Sequence, residues 1–167
     1  MLSRPEDTDD RDIQREFKVD AKYYDTVASL AKMAFAFQTC YIGASCIYYG
    51  DEILMEGYKD PFNRTGYPWG NENKELVAWY ERLGEIRAAH PAFKEGAFIP
   101  IVASYGLMSY IRRCPEEDIL VILNASEEQK HFWLWDDFAG AEPLIGKDEN
   151  RNVYLQPYSC AMFCKKH

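Results

Sequence analysis

The segment GASCIYYGDEILMEGYKDPFNRTGYPW, Gly43 to Trp69, decides how this chain is read. It opens as an apolar and aromatic run, Ala44 to Gly50, and turns at once into Asp51 and Glu52. A short run that lacks polar-out alternation and ends on glycine predicts a buried strand, of the kind found in parallel sheets. From Asp51 to Asn73 the chain carries three glycines, two prolines and many polar groups. A loop of that length in a compact domain is either functional or disordered.

In parallel α/β architectures ligands bind at the carboxyl ends of strands, which is where Asp51 and Glu52 stand. Two carboxylates there can do acid–base work, or they can cap a turn and hold a neighbouring arginine. The second reading is preferred, because no partner group accompanies them. Asp60, Asn63 and Arg64, set among Tyr58, Phe62, Tyr67 and Trp69, form a different pattern. Carboxylate, amide and guanidinium groups meet paired sugar hydroxyls, and aromatic rings cover apolar C–H faces. A solvated loop anchored by its aromatics has the same composition, so both readings stay open.

Outward from this segment the pattern is first helical. Tyr23 to Cys40 predicts a helix, with Val27, Leu30, Ala31, Ala34, Phe35 and Phe37 at three-and-four spacing and Asp25 or Thr26 near its start. Asn73 to His90 predicts a second helix, capped by Asn73 and stopped by Pro91. Its apolar face is Leu76, Trp79, Tyr80, Leu83 and Ile86, joined by Arg87. The first twenty residues, charged and poor in apolar groups, read as a loop or a frayed end.

After His90 the periodicity changes. FIPIVAS, GLMSYIRRC, DILVILNAS, KHFWLW and NVYLQPYSCAMFCKK are β-rich runs separated by turn-forming clusters. They predict a small antiparallel sandwich, with a boundary near Phe93 to Phe98. Trp133 and Trp135 share a face of one strand, read as core in preference to a surface starch-binding patch.

The bulk properties narrow the function. The chain has 167 residues, a formal charge of −8 and 47% apolar residues, enough for one domain or two small lobes with a real core. That charge disfavours nucleic acid as a partner. No run reaches the roughly 18 apolar residues needed to span a bilayer, and no secretory leader is visible after Met1. The five cysteines, Cys40, Cys46, Cys114, Cys160 and Cys164, are odd in number and lack a CxxC pair, so buried thiols in a reducing cytoplasm are expected. His90, at a helix end, is expected to be packed or bonded to a terminal carbonyl. His131 and His167 do not suggest a metal site, and neither a metal nor a cofactor is expected.

The Gly43–Trp69 segment resembles the eighth-strand region of the α-amylase family of glycoside hydrolases, most of all its neopullulanase and cyclomaltodextrinase branch. That branch reads G-x-P-x-I-Y-Y-G-D-E-x-G-M-E-G-x-x-D-P-x-N-R-x-x-x-P-W. Ile47, Tyr48, Tyr49, Gly50, Asp51, Glu52, Met55, Glu56, Gly57, Asp60, Pro61, Asn63, Arg64, Pro68 and Trp69 match it. IRAAHPAFKEGAF is similar to the family's last barrel helix, with Arg87, His90, Pro91, Ala92 and Gly96 in common. The chain departs from the pattern at Ala44-Ser45, where a small residue and Pro are usual, at Leu54, a usual Gly, and at Phe62, often Asp.

The resemblance implies an α+β fragment: residues 1–93 as the last βα elements of a (β/α)8 barrel, and 94–167 as the C-terminal sandwich. It implies a parent that cleaves α-1,4 glucosidic bonds with retention, with α-1,6 bonds as a second candidate linkage. Such chemistry needs a nucleophile and an acid about 5 Å apart. The family carries them after its fourth and fifth strands, outside these 167 residues. A third acid follows the seventh strand, and aligning Glu6-Asp7-Thr8 with the family's H-D-T puts Asp7 there, with Glu6 in place of a substrate-binding His. A charged tail is the competing reading. Asp60 and Arg64, with Asn63, take positions that contact a glucose unit, and Asp51 and Glu52 become rim-buttressing residues. The expected partner is an α-glucan or maltooligosaccharide, through the parent. A non-catalytic glucan-binding module, or a homodimer through exposed apolar faces, is the alternative. An unrelated enzyme using Asp51 and Glu52 directly ranks last.

Overall fold

The computed structural model of the chain describes residues 9–167. Helices come first: α1 (Arg11–Glu16), α2 (Tyr24–Cys40), α3 (Lys74–Ala89) and the short α4 (Ala92–Glu95). Seven strands follow: β1 (Ala97–Ser104), β2 (Leu107–Arg113), β3 (Glu117–Asn124), β4 (Lys130–Trp133), β5 (Glu142–Ile145), β6 (Asn152–Leu155) and β7 (Ser159–Lys166). No helix among the described residues is long and apolar enough to cross a membrane.

The expected caps and stops govern α3. The Asn73 side chain accepts from the Leu76 N–H at 3.1 Å, Glu75 lies in the first turn, and the helix ends just before His90-Pro91. Leu76, Leu83 and Ile86 are buried, as their spacing requires. Trp79 ties α3 to α2 by donating its indole N–H to the Lys32 carbonyl at 3.0 Å.

The strands form a five-stranded antiparallel sheet in the order β1-β2-β3-β7-β5 and a two-stranded ribbon of β4 and β6. The larger sheet is covered on both faces. On one face Ile119, Val121, Leu123, Met162 and Tyr110 pack with Phe35, Ala36, Cys40, Leu83 and Ile86 of α2 and α3. On the other Leu120, Ile122, Phe163 and Ile111 meet Phe132, Leu134, Val153 and Leu155 from the ribbon side. Each fully buried Val, Leu, Ile, Phe or Met among them stabilises the fold by about 1.5–3 kcal/mol. Every residue of β3 is buried, which explains why its sequence shows no polar alternation.

A buried charged residue ties the sheet to the end of α2. Arg112 is 2% exposed, and its guanidinium donates to the carbonyls of Cys40, Tyr41 and Gly96, each at 2.9 Å. It therefore caps the C-terminal end of α2 from within β2.

Several expectations are corrected. Ala44 to Gly50 is not a buried strand: it forms no ladder, and Ile47, Tyr48 and Tyr49 are 42–49% exposed. A strand needs a neighbour to receive its N–H and C=O groups, and no strand among the described residues lies beside this one. Cys46 on this run is exposed for the same reason, while Cys40, Cys114 and Cys164 are buried. The early charged segment contains α1, capped by Asp10, whose carboxylate accepts from the Asp12 N–H at 2.9 Å. The run from Asn152 onward is two strands in different sheets, split at Gln156 to Tyr158, where Tyr158 takes φ +52°. Trp133 is 52% exposed, and Trp135 lies beyond the end of β4. Phe132 and Leu134 take the inward positions, and Trp135 packs half-buried on the same core beside Phe138, so the core expectation fails for Trp133.

Candidate functional site

Gly50 sits in the left-handed region at φ +93°, and a Cβ there would lie 2.8 Å from Met55 Cβ. Its carbonyl accepts from the Met55 N–H at 2.8 Å, closing a tight turn around a single 3-10 turn, Asp51–Ile53. The two acids hold this turn from outside. Asp51 Oδ2 accepts from the Tyr48 N–H at 3.3 Å, and Glu52 Oε2 accepts from the Gly50 N–H at 2.9 Å. Leu54 then adopts φ +57°.

The chain next folds back on itself. Gly57 packs so closely on Asn63 that a Cβ would meet Asn63 Cα at 2.8 Å and the Phe62 carbonyl at 2.9 Å. Glu56 fastens the turn to the segment before α2 by accepting from the Val19 N–H at 3.1 Å. Two turns, Phe62 N–H to Lys59 O at 3.0 Å and Arg64 N–H to Pro61 O at 3.1 Å, present Asp60 and Arg64 side by side. These two form an ion pair with both side chains mostly exposed. Asn63 Oδ1 is buried and lacks a hydrogen-bond partner. Tyr49 donates its hydroxyl to the Thr65 carbonyl at 3.1 Å, and the Tyr67 and Trp69 rings sit 4.6 Å apart with Trp69 82% exposed.

The loop thus brings Asp60, Asn63 and Arg64 together, with aromatic rings on the same loop. Asp51 and Glu52 are elsewhere in it, each occupied by a backbone N–H. Asp7 lies outside the described residues.

A cyclomaltodextrinase of Thermoanaerobacter pseudethanolicus is 33% identical over 134 residues, covering 77% of this chain and 23% of that relative. A cyclomaltodextrinase of a Bacillus species is 36% identical over 97 residues, 56% of this chain and 17% of that relative. An α-amylase of Anoxybacillus superposes with a TM-score of 0.73 at 23% identity, over 81% of this chain and 32% of its own. This chain belongs to the α-amylase family. It corresponds to a C-terminal part of the family's neopullulanase-like members, and spans about a quarter or less of the curated relatives named. No protein-family profile matches the chain.

Seen as an α-amylase-family sequence, Leu54 becomes intelligible: it stands where the family carries glycine, and its backbone is left-handed, the conformation glycine adopts without strain.

A second cluster was not foreseen. His90 Nδ1, Glu117 Oε2 and Cys164 Sγ, all from buried residues, lie within 4.8 Å of one another. Glu117 Oε2 is 2.9 Å from His90 Nδ1, 3.5 Å from Cys164 Sγ and 3.3 Å from Lys166 Nζ, while Oε1 accepts from the Ala92 N–H at 3.3 Å. The residue types could ligate a metal, but the carboxylate is already encircled by donors, so the arrangement works as a clamp joining α3, α4, β3 and β7. His90 is packed, one of the two expected arrangements, with Phe93 beside its ring, and its imidazole bonds this carboxylate in place of a helix-terminal carbonyl. Burial pushes the Cys164 thiol up to about 12, helped by the Glu117 charge, so it is a protonated donor and not a nucleophile. Glu117 escaped sequence reading because it sits in PEED, Pro115 to Asp118, which reads as a solvated turn. Opposed Glu117 and Lys166 at the ends of apolar runs were the available signal.

Proposed function

We propose that this chain is the C-terminal piece of an α-glucan-acting glycoside hydrolase. In this reading residues 1–93 are the last βα elements of its barrel and 94–167 its sandwich domain. The parent cleaves α-1,4 glucosidic bonds by a retaining mechanism, with α-1,6 bonds as a second candidate linkage. The nucleophile and acid/base reside on elements outside these 167 residues, Asp7 takes the third acidic position, and Asp60, Arg64 and Asn63 grip one glucose unit. Asp51 and Glu52 buttress the rim.

The observation that carries the reading is the Asp60–Arg64 pair, held exposed on a fixed turn with Asn63 behind it, within a chain of this family. The unpaired Ala44–Gly50 run adds support, because an extended apolar segment without neighbours suits a barrel strand lacking the strands beside it. The same exposed face, including Ile42 and Ile47, would also serve to join two copies, which sedimentation would reveal.

The test is hydrolysis of maltoheptaose, cyclodextrin and pullulan by the purified chain, with product chromatography and circular dichroism. The expected result is a folded protein without turnover. Turnover that survives repurification and disappears in Asp51→Ala or Glu52→Ala would overturn the reading.

A further inference from the structure

The β4–β6 ribbon lies across the sheet from the helices, and its two faces differ sharply. Phe132 and Leu134, with Val153 and Leu155 of β6, point into the core. His131, Trp133, Asn152 and Tyr154 take the alternate positions and face outward. The register sets His131 opposite Tyr154 and Trp133 opposite Asn152, so Trp133 and Tyr154 occupy diagonal positions on one face. Trp133 is 52% exposed and Tyr154 53%. Two large rings at solvent positions gain little from folding and form a platform.

Polar groups flank Tyr154 and Asn152 on this face. His131 Nε2 lies 2.7 Å from Asn152 Oδ1, and the His131 ring is 5.2 Å from the Tyr154 ring. Asn152 Nδ2 donates to the Glu149 and Asn150 carbonyls at 3.0 and 3.2 Å. Beside Tyr154 and Asn152 a hollow is lined by Gln129, Gln156, Lys147 and Glu149. Lys147 and Glu149 pair at 3.1 Å, so the hollow carries no net charge in a chain of formal charge −8.

We propose that this outward face is a second carbohydrate site that takes a neutral α-glucan chain, apart from the Asp60–Arg64 loop on the helical side. The proposal rests on the glucan reading above. The rings cover the C–H faces of successive glucose units, and the amides and the balanced ion pair bond their hydroxyls. An acidic ligand would find no uncompensated cation there, and an apolar partner would strand the amides.

The experiment is a titration of the 15N-labelled chain with maltoheptaose, following the indole N–H signals of Trp69 and Trp133. Trp69→Phe and Trp133→Phe assign them. The expected result is a saturable shift of Trp133, with Trp133→Ala/Tyr154→Ala weakening that response about tenfold, or about 1.4 kcal/mol. Backbone amides of β4 and β6 report the same event where the indole is removed. A stationary Trp133 alongside a moving Trp69 would overturn the second site and leave the loop reading intact. Movement of Trp133 alone supports the second site while removing the loop as a sugar contact. No response from either signal overturns the proposal. So does a Trp133 shift that tracks protein concentration without sugar, which would mark a contact between copies.

Discussion

Nδ1 of His90 lies 2.9 Å from Oε2 of Glu117, joining the end of α3 to the first residue of β3 in a fully buried contact. Burial alone would raise the Glu117 carboxyl. The bonds from His90, the Ala92 N–H and Cys164, with the His90 charge, outweigh it and hold the group below its usual 4.5. The folded state therefore binds fewer protons than the unfolded one as pH falls through that value. The contribution is fully present above about 4.5 and is lost as pH falls through the folded-state value. Glu117→Gln should cost roughly 1–3 kcal/mol at pH 7. The gap between the urea midpoints of wild type and variant should shrink between pH 5 and pH 3. A constant gap would mean the carboxylate charge is not what stabilises.

Arg112 makes three hydrogen bonds to carbonyls that belong to two separate parts of the chain. Arg112→Met keeps much of the bulk but strands those buried acceptors, and should lower stability by roughly 3 kcal/mol. Arg112→Lys should recover only part of this, because one ammonium cannot replace a planar fork that reaches Cys40, Tyr41 and Gly96 together. Denaturant midpoints of the three proteins give the comparison.

Thiol reactivity should separate Cys46 from the rest. Burial pushes the Cys40 and Cys114 thiols up, and Cys160 and Cys164 up to about 12. Cys46 is exposed. A thiol-reactive dye at pH 8 should label one cysteine quickly in the native chain and all five after unfolding, with the fast site absent in Cys46→Ser.

Leu54 pays for its left-handed backbone, at about 1 kcal/mol or more, and recovers part of it through side-chain burial. Leu54→Gly should therefore change stability by less than about 1 kcal/mol in either direction. Leu54→Ile, β-branched at the same φ, should lower it by roughly 1–2 kcal/mol. Thermal melts of both variants decide the sign.

Much of the architecture could be read from local signals. The start and stop of α3 are written in Asn73 and His90-Pro91, and β3 in an unbroken apolar run. Ala44 to Gly50 misled because an apolar run reports the wish to be buried, not the presence of neighbours. β5 went unread: it is four residues long, contains Pro143, and pairs only with β7. At the loop, residue types and spacing located Asp60, Asn63 and Arg64, but their pairing depends on the approach of Gly57 to Asn63, a contact of backbone geometry. Trp133 was misplaced because the strand ends there, so the two-residue spacing no longer puts it on one face with Trp135, which packs on the core. The Glu117 clamp left only a faint signal, the opposed Glu117 and Lys166, because its members come from the cap of α3, from β3 and from β7.

β3 has no solvent side, since helices cover one face and the ribbon side covers the other. The strand cannot be content until both layers arrive, and one of its partners, β7, follows only after three intervening strands. Folding is thereby made all-or-none. Helix-rich and strand-rich regions melt together, and a chain interrupted before β7 presents β3 as a sticky, unpaired edge.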